Sequence, residues 1–187
     1  MKNRIISLSL KLFFFFLITL QLNASEQAWN LAQKGNKIIL IRHSLAPGGG
    51  DPAGFKIDDC KTQRNLNKKG INQSKKIGKL FKKNKIPIDV VLSSQWCRCK
   101  DTAKYAFGNY KEFTPLNSTF QSPYNKNEGK QLKELYDYVK QWDGKGKNLV
   151  LITHYSIITA VTNAVPSSGE IVVADKNFKV LGTVQTD

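Results

Sequence analysis

Acidic residues and histidines are scarce in this sequence. It has 14 aspartates and glutamates against 29 lysines and arginines, a formal net charge of +15, and only two histidines. So basic a chain attracts an anionic substrate, an acidic polymer or an anionic membrane face. Lysines spread over solvated helix faces account for the charge as well, and we favour this plainer interpretation. Because no stretch interleaves arginine with aromatic residues, we predict no nucleic-acid partner.

A hydrophobic run long enough to cross a membrane is also lacking. The main apolar stretch, residues 12–20, has nine residues, whereas a spanning helix needs about 20. Basic residues precede it, and small or apolar residues at positions 22 and 24 suit a signal peptidase. We therefore predict a cleaved secretory signal over residues 1–24 and a periplasmic or secreted mature chain without a membrane span.

No linker or low-complexity segment divides the remaining chain. The 187 residues are enough for one domain of ordinary size and too few for two. Removal of the signal takes away three basic residues and no acidic residue, so the predicted single domain, residues 25–187, has a formal charge of +12.

Cysteine is rare and is not spaced for metal binding. The sequence contains three cysteines, and the C-x-C spacing of Cys97 and Cys99 is not that of a zinc site, so we predict no metal. In an oxidising compartment a disulfide is expected. Cys97 and Cys99 point to different sides of a predicted helix and should not pair with each other. We therefore expect Cys60 to pair with Cys97 or Cys99, which leaves one free thiol.

Strand-like and helix-like segments alternate along the chain. Continuous aliphatic runs predict buried strands over residues 37–41, 88–92 and 148–152. Weaker β-type runs predict further strands over residues 111–116, 170–174 and 178–184, the last two at an edge of the sheet. Capped or amphipathic segments predict helices over residues 67–84, 95–107, 130–142 and 156–164. This alternation predicts an α/β fold of three layers, in which helices cover both faces of a mostly parallel central sheet.

Both histidines come directly after strand-like runs. Ligands of open α/β sheets bind beyond the carboxyl ends of the strands, so His43 and His154 should lie on one rim, together with Arg42 and Arg98. Guanidinium groups bind phosphate oxygens through paired hydrogen bonds, and a neutral imidazole is a competent nucleophile. These four side chains therefore predict a site for a phosphoryl group.

Four segments carry recognisable motifs in a fixed order. They are residues 42–44 (Arg-His-Ser), 64–70 (RNLNKKG), 93–103 (SSQWCRCKDTA) and 152–154 (Ile-Thr-His). Together they resemble the motifs of the histidine phosphatase superfamily, which has the phosphoglycerate mutase-like fold. The resemblance covers about residues 37–173.

The resemblance implies an exported phosphatase that hydrolyses a phosphate monoester or a phosphoprotein through a phosphohistidine on His43, without a metal or cofactor. Arg42, Arg98 and His154 would bind the phosphoryl oxygens and stabilise charge in the transition state. Further candidates for substrate binding are Arg64, Gln63, Ser44 and Tyr155. The substrate would be a phosphorylated small molecule, an envelope component or a phosphoprotein.

A general acid is not evident in the sequence. Larger members of the family carry one after the second motif, but the matching segment, residues 116–120, has no carboxylate. A general acid contributes about 10²- to 10⁴-fold by protonating a poor leaving group. Its absence predicts a good leaving group, or an acid from elsewhere. Glu170 is the first candidate and Asp51 and Asp59 are the next, although a solvated or capping role is the alternative for each.

Two other functions fit the same motifs. A phosphate-binding protein of weak activity would keep the pocket and lack the acid, and an envelope interaction protein would act through its basic surface. Export disfavours a mutase, because it separates the chain from glycolytic substrates. The glycine-rich segment 47–52 lacks the Gly-Lys-Ser/Thr ending of a nucleotide-binding P-loop and is interpreted as a flexible rim loop.

Overall fold

The computed structural model describes residues 25–187, and the predicted secretory signal lies outside these residues. The strands of the described part are β1 (Ile38–Arg42), β2 (Ile88–Ser93), β3 (Lys111–Glu112), β4 (Asn148–Thr153), β5 (Ile171–Ala174) and β6 (Val180–Val184). Its helices are α1 (residues 25–33), α2 (Lys68–Lys83), α3 (Cys97–Phe107), α4 (Glu128–Gln141) and α5 (Tyr155–Thr162). Among residues 25–187, no helix is long and apolar enough to cross a membrane.

The strands form one mixed sheet in the order β3-β2-β4-β1-β5-β6. The pairs β1–β4, β2–β4 and β2–β3 are parallel, whereas β1–β5 and β5–β6 are antiparallel. The prediction of a mostly parallel sheet is confirmed. The expectation that β5 lies at an edge is wrong, because all four of its residues are buried and it pairs with a strand on each side. Only β6 forms this edge.

Helices cover both faces of the sheet. Side chains alternate across a strand, so Ile39 and Ile41 of β1 pack in the core beneath α1, α2 and α3, while Ile38 and Leu40 pack beneath α4 and α5. A strand covered on both faces needs apolar residues at every position, which explains the continuous aliphatic runs of β1 and β4. The three-layer prediction is confirmed.

The first long helix after β1 begins and ends as predicted. Asn67 is the N-cap of α2, and its side chain accepts a hydrogen bond from the Gly70 amide at 2.9 Å. At Gly78 the helix comes close to α3, where a Cβ would lie 2.1 Å from the Ala106 carbonyl oxygen. A glycine is therefore needed at this position for α2 and α3 to pack on the same face.

Most predicted bounds hold to within two residues, and the third strand differs by more. Helix α3 begins two residues later than predicted, with Trp96 at the N-cap position and no capping by a side chain. The predicted third strand stops at Glu112, and Thr114–Leu116 forms a 3-10 turn. Pro115 explains the early end, because proline has no amide hydrogen to donate to a neighbouring strand.

The carboxyl ends of β1, β2 and β4 meet at one edge of the sheet. Arg42 at the end of β1 is in register with Thr153 of β4, and Ser93 at the end of β2 is in register with Ile152. The residues that follow β1 and β4 are the two histidines. Their ring centroids lie 5.4 Å apart, as expected for neighbouring parallel strands.

Candidate active site

A cleft of about 130 Å³ opens at this edge of the sheet. Its lining includes both histidines, three arginines, a glycine turn and two aromatic side chains: His43, His154, Arg42, Arg64, Arg98, Gly48, Gly49, Gly50, Phe120 and Tyr155. Among the described residues that line it, Asp51 supplies the single carboxylate, so the wall is cationic. A groove of about 720 Å³ around the amino end of β2 contains none of the predicted site residues. We therefore take the smaller cleft, which contains the predicted residues, as the candidate site.

One ring nitrogen of His43 is hydrogen-bonded, and the other has no partner among residues 25–187. Its Nδ1 lies 2.9 Å from the Ser44 carbonyl oxygen. Because a carbonyl only accepts, Nδ1 carries the proton and Nε2 keeps its lone pair. Burial, with the charge of Arg98, holds the pKa of His43 well below its usual range. The ring is therefore neutral near pH 7, with Nε2 able to act as a nucleophile.

His154 is fixed against α3. Its Nε2 lies 2.9 Å from the Ser94 hydroxyl oxygen and 3.4 Å from the Cys99 sulfur, and its Nδ1 lies 3.4 Å from Nη2 of Arg98. Burial and the charge of Arg98 also hold the pKa of His154 well below its usual range. The second histidine is thus a neutral ring whose orientation is set from two sides.

Arg42 and Arg98 approach the cleft from different elements. Nη1 of Arg98 lies 2.8 Å from Oδ1 of Asp51, and Nη1 of Arg42 donates to the Pro166 carbonyl at 2.9 Å. The Nε atoms of both arginines are buried, and neither has an acceptor among the described residues. Buried donors are nearly always paired. Both arginines line one cleft, and the positive charge of two guanidinium groups favours the binding of an oxyanion there.

Arg64 reaches the cleft from the loop before α2. It donates from Nε to the Gly50 carbonyl at 2.7 Å, and its Nη1 contacts the Ala46 carbonyl. Burial lowers the pKa of Arg64 and of Arg42, but a guanidinium stays charged in proteins. The structure therefore brings three permanent positive charges and two neutral imidazoles together.

Two predicted binding residues lie outside the cleft. The Gln63 side chain accepts from the Cys97 amide at 3.0 Å and donates to two carbonyl groups of its own loop, so all of its polar atoms are used in structural contacts. The Ser44 hydroxyl accepts from Ser74 at 2.8 Å and is fully buried. Ser44 acts on the site through its main chain, since its carbonyl holds His43.

Of the three candidate general acids, only one lies at the cleft. Glu170 is buried outside the cleft, where Oε2 accepts from the Ser167 amide at 2.7 Å. Asp59 caps a 3-10 turn by accepting from the Lys61 amide at 3.0 Å. The local turns that hold these carboxylates explain why neither reaches the site. Asp51 does line the cleft, but as the partner of Arg98.

The mouth of the cleft is aromatic and open. Phe120 is 66% exposed and Tyr155 is 37% exposed. The Arg42 guanidinium lies 5.8 Å from the centroid of the Tyr155 ring, within the range of a cation–π contact. Tyr155 therefore lines the cleft, and its role in substrate binding stays a prediction. Phe120 was not predicted, because a single aromatic residue in a polar segment gives no signal of a binding role.

One disulfide links the loop of residues 45–65, part of which lines the cleft, to α3. Cys60 pairs with Cys97, with a Cα–Cα distance of 5.6 Å, so the first of the two predicted pairings is confirmed. Cys99 is free and buried, and burial raises the pKa of its thiol to about 12. Within residues 25–187, no group of three or more His, Cys, Asp or Glu side chains is placed to hold a metal ion.

Comparisons with known proteins agree with this architecture. A family model described as histidine phosphatase superfamily, branch 1, matches residues 38–142, more than half of the chain. No curated protein matches the sequence significantly. The solved structure of the protein histidine phosphatase SixA complexed with tungstate is 16% identical with a TM-score of 0.55, and the match covers 81% of this chain and 96% of that chain.

A second solved structure shares the fold. Phosphoglycerate mutase from Thermus thermophilus is 16% identical with a TM-score of 0.54, and the match covers 81% of this chain and 99% of that chain. At these identities the likeness is one of fold. It confirms the phosphoglycerate mutase-like architecture that the motifs predicted.

Proposed function

The chain belongs to the histidine phosphatase superfamily, and we propose on that basis that it is an exported phosphatase working through a phosphohistidine on His43. One observation carries the proposal: a neutral, buried His43 lies in a cleft that is also lined by the guanidinium donors Arg42 and Arg98. A phosphoryl group offers oxygens to these donors and an electrophilic phosphorus to the imidazole.

The proposed reaction has two steps. In the first, the lone pair of His43 Nε2 forms a bond to phosphorus while the bond to the leaving group breaks with its electron pair. The Ser44 carbonyl, which accepts from Nδ1–H, stabilises the positive charge that the ring gains. In the second step a water oxygen bonds to phosphorus, the N–P bond breaks and Nε2 regains its lone pair. The water proton passes to the phosphate or to solvent, and inorganic phosphate leaves.

The arginines supply the electrostatic part of the catalysis. We assign the phosphoryl oxygens to Arg42 and Arg98, with His154 beside Arg98 and Arg64 at the loop side of the cleft. Their positions are set in advance by protein contacts, so little reorganisation is needed when charge moves in the transition state.

The cleft favours leaving groups that need no proton from the protein. Both oxygens of the Asp51 carboxylate already accept hydrogen bonds, from Arg98, Arg64 and Trp96. We therefore propose activated phosphoryl donors as substrates, and first among them an N-phosphorylated imidazole on a protein. Once solvent protonates its other ring nitrogen, such a group leaves as neutral imidazole. The shared fold of SixA, a protein histidine phosphatase, supports this choice.

The small volume of the cleft supports a phosphoryl group carried on a larger molecule. A space of about 130 Å³ holds the phosphoryl group and leaves the rest of the substrate outside, beside Phe120 and Tyr155. A phosphoprotein or an envelope component suits that geometry. The predicted signal over residues 1–24 and the Cys60–Cys97 disulfide support action in an oxidising, extracytoplasmic compartment.

The test uses the oxidised protein purified without residues 1–24, with p-nitrophenyl phosphate as substrate and a chelator present. We expect turnover by the wild type, and a fall of at least about 1,000-fold in kcat for His43→Ala, since the nucleophile is lost. With ³²P-labelled substrate, an acid-labile phosphoenzyme should be trapped in the wild type and not in the variant.

The alternative function gives a different result. If the wild type shows neither turnover nor a phosphoenzyme, yet binds inorganic phosphate, the chain is a phosphate-binding protein on this fold. If the wild type does turn over substrate, a higher kcat/KM for phosphoramidate than for phenyl phosphate supports the proposal that its substrates are activated phosphoryl donors. The reverse order contradicts it, because phenyl phosphate has the poorer leaving group.

A further inference from the structure

The Asp51 carboxylate accepts hydrogen bonds from two segments of the site, the start of α3 and the loop before α2. Its side chain is 3% exposed, and Oδ1 lies 2.8 Å from Nη1 of Arg98. Oδ1 also accepts from the Arg64 amide at 3.0 Å, and Oδ2 accepts from Nε1 of Trp96 at 3.0 Å. The donors come from α3, from the loop before α2 and from the residue that precedes α3. No other carboxylate of the described residues lines the cleft.

The contact with Asp51 fixes the plane of the Arg98 guanidinium. A guanidinium is a rigid fork, so holding Nη1 also sets the direction of Nη2, which lies 3.4 Å from Nδ1 of His154. Without Asp51, Arg98 would be a buried charge with no counterion, which is a costly arrangement. The guanidinium would then turn toward solvent or toward another acceptor.

The same residue anchors the glycine turn over the cleft. The Asp51 amide donates to Oε1 of Gln121 at 2.8 Å, and the preceding residue, Gly50, accepts from Nε of Arg64 at 2.7 Å. Trp96, the third donor to Asp51, packs edge-on against the His154 ring with a centroid distance of 5.4 Å. One carboxylate therefore links the turn, two arginines and the neighbour of the second histidine.

We propose that Asp51 is a positioning residue that acts through Arg98, and that it does not donate a proton to the leaving group. An acid role would need a neutral Asp51, which would leave the buried Arg98 guanidinium without the counterion that fixes it. This inference rests on the proposed function for its kinetic readout. Its structural content, that Asp51 orients Arg98 for an oxyanion, is testable by binding alone.

The test is a double-mutant cycle of Asp51→Asn and Arg98→Ala, measured as kcat/KM for p-nitrophenyl phosphate. A misplaced catalytic group costs about 100-fold, so we expect a loss of that order for Asp51→Asn in the wild-type background. In the Arg98→Ala background the same substitution should cause little further loss, from the Arg64 and Trp96 contacts alone. Losses that multiply across the cycle would overturn the proposal.

A second substrate separates positioning from proton donation. Phenyl phosphate has a poorer leaving group than p-nitrophenyl phosphate, so the loss of a general acid would harm its hydrolysis much more. If Asp51 is a positioning residue, Asp51→Asn reduces kcat/KM for both substrates by the same factor. A loss several-fold larger on phenyl phosphate would assign Asp51 the acid role instead.

Binding of inorganic phosphate, measured by calorimetry, keeps this test separate from that of the proposed function. If the wild type does not turn over, the proposed function fails, but Asp51→Asn should still weaken phosphate binding in the wild-type background and not in the Arg98→Ala background. Equal binding by Asp51→Asn and the wild type would overturn the inference.

Folding is controlled with matched variants. Asp58→Asn makes the same chemical change at an exposed position of the same loop and should leave all values unchanged. If Asp51→Asn does not fold, as judged by circular dichroism, the cycle is repeated with Asp51→Glu, which keeps the carboxylate and displaces it. A loss that again disappears in the Arg98→Ala background supports the proposal, and one that persists there overturns it.

Discussion

The two sides of the cleft differ in burial and in hydrogen bonding. On the α3 side, Trp96 is 1% exposed and the side chains of Arg98 and Asp51 are each 3% exposed, and the three are hydrogen-bonded to one another through Asp51. At the mouth, Phe120 is 66% exposed. One side holds its groups in fixed positions, as a site for a small phosphoryl group requires. The other side leaves space for a substrate of variable shape.

The contrast has an energetic consequence. A substitution on the buried side leaves partners without hydrogen bonds, so it should lower both stability and activity. A substitution of Phe120, the most exposed side chain at the mouth, removes little packing within the protein, so it should change activity and leave stability nearly unchanged. Stability and activity measured side by side therefore show whether the two sides differ in this way.

The largest effect is expected from loss of the disulfide. Cys60 and Cys97 are 37 residues apart, and a cross-link of this span stabilises a fold by about 2–4 kcal/mol. The Cys60→Ser/Cys97→Ser variant should lose stability of that order in urea unfolding. It should also have a higher KM, because the loop that carries Asp51 and Arg64 is no longer fastened to α3.

Reduction provides the control for this variant. Wild-type protein treated with dithiothreitol should match the double variant in both stability and KM, while the double variant should not respond to the reagent. A double variant as stable as the oxidised wild type would show that the remaining contacts alone hold the buried side together.

A smaller effect is expected from pH. Burial holds the pKa values of His43 and His154 below the 6.5 of an ordinary histidine. Between each lowered value and 6.5 the unfolded chain binds more protons than the folded chain, so stability falls as the pH drops below 6.5. The slope is at most about 1.4 kcal/mol per pH unit for each histidine.

Urea unfolding between pH 7 and 5 measures this slope, and His43→Gln should show a shallower one. The acid limb of kcat/KM should also lie well below pH 6.5, after allowance for the ionisation of the substrate. An acid limb at or above pH 6.5 would mean that water reaches His43. The two sides of the cleft would then differ less in burial than the structure indicates.

The fold and the centre of the site could be predicted because they depend on local patterns. Aliphatic runs define β1 and β4, and parallel neighbours bring the residues after them together, so His43 and His154 meet without any knowledge of the loops. Arg98 follows from its place in the first turn of α3. The edge position of β5 was wrongly predicted, since a four-residue buried run does not show on which sides it pairs.

The loop contacts could not be predicted, because residues 45–65 have no periodicity. Gln63 and Glu170 lie near motif residues in the sequence, but their side chains are held elsewhere. The Gln63 amide bonds to the Cys97 amide and to two carbonyls of its own loop, and Glu170 accepts from the nearby Ser167 amide. Asp51 is fixed by partners 13 and 47 residues away. The choice of Cys97 over Cys99 likewise depends on the direction of α3, whose buried face carries Cys99.

The smallest effect, and the most direct test of the open side, is expected from Phe120→Ala. An aromatic contact is worth about 0.5–1.5 kcal/mol, so KM for p-nitrophenyl phosphate should rise several-fold, while KM for acetyl phosphate, which has no ring, should not change. The unfolding midpoint should equal that of the wild type. Tyr105→Ala, a control on an aromatic residue away from the cleft, should leave both KM values unchanged. If both substrates lose affinity equally, Phe120 shapes the phosphoryl pocket itself, and the mouth belongs to the fixed part of the site.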